Sequence, residues 1–336
     1  MKSKKAQPVT GLDIGSYSVK CVEVVLMDAG IQLRRAVTVP VGQESDLKGI
    51  LKNLELKPAD HVRVALSGPS VITRFISMPI LSPKELQSAI RFEAENHIPF
   101  PIDDCVLDYQ VLKQEAATRQ IKIMLVAAKR EYVESRYKLL SDSGIHPEVI
   151  DLDVFCLVNA FEILNPEGPE TSYGLLNVGH QVSSLAIVHE GLAAFAREIP
   201  QGGLQVTKAL AEIKNMPEAQ ADEMKINKPE SEMENLKVAT RKGFESLTEE
   251  ICHSIDFVEN ELKGELKKVY VSGGGSLAAG AFEILAEEIG RPLVFWDNTK
   301  KMQMSGNIDG PWIQEHAAQL NVALGMAIRG VGNGKK

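Results

Sequence analysis

The sequence predicts an α/β protein in two similar halves. Three observations carry this reading. A strand, glycine turn, strand pattern opens the chain in "VTGLDIGSYSVKCVEV", residues 9–24. A second stretch of the same layout, "GLLNVGHQVSSLAIVHEGLAAFAREIPQGG", starts at Gly174. A strand followed by Gly273, Gly274 and Gly275 and an apolar helix runs through "KKVYVSGGGSLAAGAFEILAEEIG", residues 267–290.

The first two stretches align. A one-residue gap after the first Leu places Asp13 on Asn177 and Gly15 on Gly179. Gly30 then falls near Gly191, and Pro40 near Pro200. Each half reads as a three-stranded antiparallel meander. The run after Gly15 contains Val19, Val22, Val24 and Val25, β-branched residues that favour a strand. P-loop and Rossmann turns lead directly into a helix, and neither GxxxxGKS nor GxGxxG occurs.

Two such meanders facing one cleft can set two glycine turns around a polyphosphate. Without a Cβ, glycine lets backbone amides approach the anion. Ser16, Ser18 and Lys20 add donors on one side, and Ser183 and Ser184 on the other. A carboxylate beside phosphates calls for a cation between them, so Asp13 implies Mg²⁺. The triple glycine, with Ser276, sets a bare backbone surface before a helix expected from about Leu277, where partial positive charge favours phosphate.

Between the meanders, Ser82, Pro83 and Glu85 give a helix start: a cap, a first-turn proline and an acid three residues after the cap. Leu86, Ile90, Ala94 and His97 then share one face, and Pro99 and Pro101 end the helix. "DCVLDYQVL" and "IKIMLVAA" read as strands, and "KREYVESRYKLLSDSG" as a helix stopped by Gly144. "PEVIDLD" reads as a further strand. His97 reads as a helix-end or core histidine, since no second His lies at ligand spacing. After the second meander Gly202 and Gly203 open a helix. Residues 215–248 are strongly charged, with a break at Pro229, and fit a small surface subdomain. "QEHAAQLNVALGMAIRG" reads as a closing helix on the first half, with Gly325 allowing close approach.

Composition narrows the function. The chain has 336 residues, 44% hydrophobic, and a net charge of −8 from 37 basic and 45 acidic residues. This length suits about two domain-sized units, and the acidic balance argues against nonspecific nucleic-acid binding. No signal-like apolar region follows Lys2, Lys4 and Lys5. No stretch approaches the roughly 18–20 apolar residues that span a bilayer. Cys21, Cys105, Cys156 and Cys252 are widely spaced and read as reduced thiols, neither disulfides nor a zinc site. The expected location is the cytoplasm.

The order hairpin, hairpin, glycine-rich turn resembles the actin, hexokinase and sugar-kinase superfamily. "LDIGSYSVK" is similar to its first phosphate motif, "LLNVGHQVSSL" to its second and "VYVSGGGS" to its adenosine motif. A closer resemblance lies in "SGPSVITRFISMPILSPKELQSAIRFEAENHIPFPIDDCVLDYQVL", residues 67–112, and continues in "VAAKREYVESRYKLLSDSGIHPEVIDLDVFCLVNAF". These segments resemble the PilM family of type IV pilus assembly proteins, relatives of the cell-division protein FtsA. The resemblance runs from about Val9 to Gly330.

It implies an actin-like ATPase fold: two ribonuclease-H-like halves with an FtsA-type inserted subdomain, and ATP (or ADP) with Mg²⁺ between the halves. The expected units are tails at 1–8 and 331–336 and a first half at 9–76 and 152–171 with the insert at 77–151. The second half spans 172–203 and 267–310, its small subdomain 204–266, and the closing helix 311–330. The implied nucleotide residues are Asp13, Gly15, Ser16, Ser18 and Lys20 from the first motif. Asn177, Gly179, Ser183 and Ser184 come from the second, then Gly202 and Gly203, and Gly273, Gly274, Gly275 and Ser276 from the third. Within "AQADEMKIN", Asp222 and Lys225 match an acid-x-x-Lys pattern that contacts adenosine, although relatives usually carry the longer Glu. Asp13 is the implied metal residue.

Many active relatives carry Asp where Asn177 stands. An amide hydrogen-bonds but is a poor general base near neutral pH, so nucleotide retention with slow or absent hydrolysis is expected. His180 is a substitute base to consider, against its reading as a polar turn residue. The resemblance further implies a scaffold at the inner-membrane pilus platform. Its partner would be the cytosolic N-terminal tail of the membrane protein PilN, held in a groove beside the insert, with other platform or motor proteins as further partners. Membrane contact would then be indirect. Two alternatives stay open. One is an FtsA-like nucleotide-dependent filament. The other is a small-molecule kinase, which would need a carboxylate base; the sequence offers no convincing one, and only Asp151 and Asp153 stay open.

Overall fold

A computed structural model describes residues 7–27, 30–42, 46–56, 61–165 and 172–330. Most of the expected N-terminal tail and all of the expected tail 331–336 lie outside the described residues.

The opening meander comprises β1 (Pro8–Ile14), β2 (Ser18–Met27) and β3 (Gly30–Pro40), followed by α1 (Leu47–Asn53) and β4 (His61–Leu66). The inserted unit follows with β5 (Val71–Pro79), α2 (Pro83–His97), β6 (Cys105–Glu115) and β7 (Gln120–Lys129). The chain returns through α3 (Arg130–Asp142), β8 (Val149–Leu152) and α4 (Asp153–Leu164). The second meander is β9 (Tyr173–Val178), β10 (Ser183–His189) and β11 (Leu192–Ile199). Three helices, α5 (Gly203–Lys214), α6 (Glu218–Asn227) and α7 (Met233–Leu262), precede β12 (Lys268–Ser272), α8 (Ala281–Ile289) and β13 (Leu293–Phe295). The chain closes with β14 (Gln303–Met304), α9 (Gly310–His316) and α10 (Asn321–Ile328).

The duplication is visible in the sheets. The first runs β14-β3-β2-β1-β4-β8 and the second β11-β10-β9-β12-β13. From the meander onward the two orders are the same, with each first strand pairing in parallel with the fourth of its half. Each half also carries a register irregularity eight residues past its turn glycine, at Glu23 after Gly15 and at Ile187 after Gly179. In each case the extra residue lies on the neighbouring strand, Arg34 on β3 and Ala194 on β11. Along β2 ordinary alternation turns Val19 and Cys21 towards α1 and α3, and Val22 and Val24 towards α4 and α10.

Burial on both faces explains the nearly continuous apolar runs of β2 and β10. Between the sheets lies α4, where Phe161 meets the rings of Tyr173, Tyr270 and Trp296 at 4.4–5.3 Å. The far face of the second sheet is covered by α5, α7 and α8. Gly325 lets α10 lie directly on α4, since an added Cβ would sit 1.9 Å from the Cys156 carbonyl oxygen.

The insert forms its own sheet, β5-β7-β6, closed by α2. The expected cap is present: Ser82 and Glu85 bond each other's backbone amides and Pro83 begins the helix. Several boundaries differ from the sequence reading. The inserted sheet begins at Val71, because β5 pairs β7 along its whole length. β8, expected inside the insert, pairs β4 of the first sheet, and β14, expected in the second half, pairs β3. A short 3₁₀ turn, Gly274–Leu277, delays the helix after the triple glycine to Ala281. The closing helix is two helices, α9 and α10, joined by a tight turn at Ala317–Gln319.

Candidate functional site

Three glycine-bearing turns converge at the carboxyl ends of β9 and β12. Gly203 donates its amide to the Gly179 carbonyl at 2.9 Å, and Leu204 to the His180 carbonyl at 2.8 Å. A Cβ on Gly179 would lie 2.3 Å from the Val182 oxygen. One on Gly202 or Gly275 would lie 2.5 or 2.7 Å from the Gly179 oxygen. Backbone therefore packs on backbone, which only glycine permits. Gly273 takes φ +92° where the chain leaves β12. Gly274 is exposed, with only Gln319 near its missing Cβ, at 3.7 Å.

The side chains of this half divide by role. Ser183 donates to the Gln201 carbonyl at 2.7 Å, and Ser276 to that of Gly273 at 2.7 Å. Both hydroxyls thus hold the turns. Ser184 is buried opposite Asn177 in the ladder. The Asn177 side-chain oxygen accepts from the Ser272 hydroxyl at 3.3 Å.

Across the cleft stands the turn between β1 and β2. Asp13 is opposite Lys20 in the register, and their charged atoms are 3.1 Å apart, both side chains largely buried. Gly15 closes the turn, donating to the Ser18 carbonyl at 3.2 Å. Ser18 is buried and Ser16 exposed, so Ser16 is the hydroxyl that faces solvent. Asp13 carries a carboxylate that can meet a phosphate-bound cation. Mg²⁺ in such sites takes one or two carboxylates and completes its shell with water and phosphate, and Asp13 fits that donor set. Among the described residues no three His, Cys, Asp or Glu side chains converge as a preformed metal cage.

Asp222 and Lys225 lie beside the glycines. Lys225 Nζ reaches Asp222 Oδ1 at 2.6 Å, Thr207 Oγ1 at 2.5 Å and the Gly203 carbonyl at 3.2 Å. Burial alone would raise the Asp222 carboxyl, but the Lys225 ammonium, with Thr207 and Tyr17, outweighs it and holds Asp222 below the usual range. Burial, then Lys225, pushes His180 below its ordinary value. Its ring rests 4.9 Å from that of Tyr17.

Three cleft residues carry no motif in the sequence reading or only a passing one. Tyr17, from the first turn, donates to Asp222 Oδ2 at 3.1 Å across the halves. Burial and Asp222 push its phenol up to about 12. Asp153, at the start of α4, is pushed up to about 7 by burial and by the nearby Asp13. Glu198, on β11, accepts from the Gly68 amide of the other half, while its Oε1 is buried without a partner. Burial, then Asp153, pushes it up to about 8. Gly68 and Glu198 also border a half-open cavity of about 230 Å³ between the halves. Of the two kinase-base candidates, Asp151 is bound to Arg329 Nε at 2.5 Å at the back of the sheet. Asp153 faces the cleft cluster. An apolar-periodic pattern hides such residues, because their partners are distant in the chain.

A second concavity, about 770 Å³, lies beside the insert between Phe100, Pro101 and Asp104 and the α3 residues Arg130, Glu134 and Lys138. Lys129 Nζ sits 4.5 Å over the Phe100 ring. His97, the last residue of α2, lies 3.8 Å from Glu93. Cys21, Cys105 and Cys156 are buried thiols, and Cys252 is half-buried. Among the described residues no helix is long and apolar enough to cross a membrane.

Paired meanders with the same strand order, facing each other across a glycine-lined cleft, define a protein of the actin-like ATPase fold. Residues 11–331 match the family described as type IV pilus assembly protein PilM, and the chain belongs to that family. A solved structure described as the PilM-PilN type IV pilus biogenesis complex superposes with a TM-score of 0.83 at 27% identity, covering 96% of this chain and 98% of that one. MreB5 of Spiroplasma citri bound to AMPPNP gives 0.53 at 12% identity, covering 98% and 97%. The ethanolamine utilization protein EutJ from Carboxydothermus hydrogenoformans gives 0.52 at 12%, covering 96% and 90%. The last two share the fold.

Proposed function

We propose that this chain is a nucleotide-binding scaffold of type IV pilus assembly. ATP or ADP with Mg²⁺ occupies the cleft, and the N-terminal tail of PilN occupies the groove at Phe100 and Pro101. The single observation that carries the nucleotide reading is the convergence of Gly179, Gly202, Gly203 and Gly275 opposite the Asp13 turn. Asp13 meets the metal through its waters. Gly15, Ser16, Lys20 and Gly179 hold phosphate. Gly203, Asp222, Lys225 and Gly274 hold adenosine. The fold is shared with an MreB that is described with AMPPNP bound. The groove reading is supported by the similar PilM-PilN complex and by the apolar faces of Phe100 and Pro101 between charged walls. An extended tail would place alternate apolar side chains there. The protein then meets the inner membrane through its partner.

Nucleotide is held and hydrolysed slowly or not at all, because Asn177 offers an amide where a carboxylate would accept a proton. A second reading, an ATPase, is favoured by Asp153, whose carboxyl near pH 7 suits a general base. A single-turnover experiment separates them. The protein is loaded with labelled ATP and Mg²⁺, and ADP formation is followed with and without the PilN tail. About one ATP per chain, intact over hours, supports the scaffold. Prompt ADP formation that Asp153→Asn abolishes supports the ATPase. No bound nucleotide refutes both.

A further inference from the structure

Tyr17, on the first turn, joins the two cleft walls through its phenol and its ring. Its hydroxyl lies 3.1 Å from Asp222 Oδ2. The other carboxylate oxygen, Oδ1, is already occupied by Lys225 at 2.6 Å and Thr207 at 2.9 Å. Tyr17 is thus the one donor that the described residues give Oδ2. Asp222 stands beside Lys225, whose ammonium is 4.0 Å from the position a Cβ on Gly203 would take, and Gly203 in turn meets Gly275. That is the glycine floor of the cleft. The ring of Tyr17 leans on His180 of the second turn at 4.9 Å, so the side chain spans the gap between both turns.

We propose that Tyr17 is a latch that competes with nucleotide for Asp222. A vicinal diol, the donor pair of a ribose, replaces the phenol at Oδ2 donor for donor. The phenol then swings off, and the two halves lose that direct link. Nucleotide occupancy and the Tyr17–Asp222 bond are mutually exclusive, so the cleft reports its occupancy as a change in how the halves are joined. This rests on the nucleotide reading above. The hydrogen bond is with a charged group, which makes it stronger than a neutral pair, and part of that strength is set against binding.

The test is Tyr17→Phe in the full chain, which keeps the ring and removes only the donor. Mg²⁺-ATP affinity is expected to rise about fivefold, or about 1 kcal/mol at 1.4 kcal/mol per tenfold. The gain is expected to vanish with 2′,3′-dideoxy-ATP, which offers no diol to take Oδ2. Unchanged or weaker ATP binding in the variant overturns the latch, and so does an equal gain with the dideoxy nucleotide. Hydrogen exchange without nucleotide gives an independent arm. Amides of α6 around Asp222 are expected to exchange several-fold faster in Tyr17→Phe than in the parent chain. Equal exchange overturns the latch whatever nucleotide does. Faster exchange in Tyr17→Phe, where the parent chain binds no ATP, keeps the link between the halves and overturns the competition and the nucleotide reading together.

Discussion

Replacing Glu198 by Gln probes the electrostatics of the cleft. The carboxyl of Glu198 reaches from β11 to the Gly68 amide in the other half, and its second oxygen is buried without a partner. Burial first, then Asp153, raise it from an ordinary 4.5 to about 8. The folded chain therefore holds a proton that the unfolded chain releases. The contribution to stability is complete below pH 4.5 and is lost as pH rises towards 8. At 1.36 kcal/mol per pH unit the loss has a ceiling of about 4–5 kcal/mol. Solvent that reaches the cleft raises the local dielectric and brings the expected loss to about 2–3 kcal/mol. Gln keeps an oxygen for the Gly68 amide and has no proton to release. Urea unfolding at pH 5.5 and 8.5 measures the difference. About one pH unit of the loss precedes pH 5.5, so the parent chain should lose about 1–1.5 kcal/mol more than Glu198→Gln between these values. Asp153, raised by the same burial and by Asp13, keeps a residual slope of the same sign in both proteins. Equal losses in the two proteins would refute the reasoning and place Glu198 in water as an ordinary carboxylate.

Asp13→Ala removes the carboxylate 3.1 Å from Lys20 and should weaken Mg²⁺-ATP binding about 30-fold or more, the scale of truncating one buried charged partner. Calorimetry with and without Mg²⁺ checks it, with circular dichroism to confirm the fold. Gly274→Val should fold, since its Cβ meets only Gln319 at 3.7 Å, yet lose at least about tenfold in ATP affinity as the branched side chain covers the backbone surface. Gly275→Val is expected to lose folded protein instead, because its Cβ would strike the Gly179 carbonyl at 2.7 Å; soluble yield and thermal melting distinguish the two. Phe100→Ala should weaken PilN-tail binding about fivefold to tenfold while leaving ATP affinity unchanged, as read by fluorescence anisotropy of a labelled tail peptide.

Much of the fold was legible because duplication leaves two copies of one pattern. Val19, Val22, Val24 and Val25 announce a strand after Gly15, and Leu185, Ile187 and Val188 announce its counterpart after Gly179. The irregularities opposite Glu23 and Ile187 were not legible, since the extra residues sit on the neighbouring strands, Arg34 in β3 and Ala194 in β11, and leave the apolar runs of β2 and β10 unbroken. Short strands were also missed or misplaced. Gln303 and Met304 join the first sheet only because the chain crosses back over it, and a two-residue bridge has no period to read. The turn at Ala317–Gln319, which divides the closing helix, lacks Gly and Pro and so carries no breaker signal.

The candidate site divides along the same line. Glycines were readable, because a backbone that must touch another backbone excludes every other residue, and Gly179, Gly202 and Gly275 do touch. Polar residues were readable only where sequence neighbours pair, as Asp13 pairs with Lys20 across one hairpin and Asp222 with Lys225 along one helix turn. Tyr17 and Glu198 acquire their partners from the opposite half, and Asp153 meets Asp13 from the far end of its own half. Their sequence contexts are a turn, a helix start and a strand end, none of which marks a cleft. The consequence bears on hydrolysis. Asn177 is one position of one motif, whereas proton transfer depends on any base that reaches the attacking water. With Asp153 and Glu198 both raised into the neutral range, the cleft has carboxyls that Asn177 does not replace. Slow hydrolysis therefore requires more than the amide at Asn177. It requires that Asp153 stay protonated or engaged while nucleotide is bound, and Asp153→Asn in the single-turnover experiment separates those conditions from catalysis.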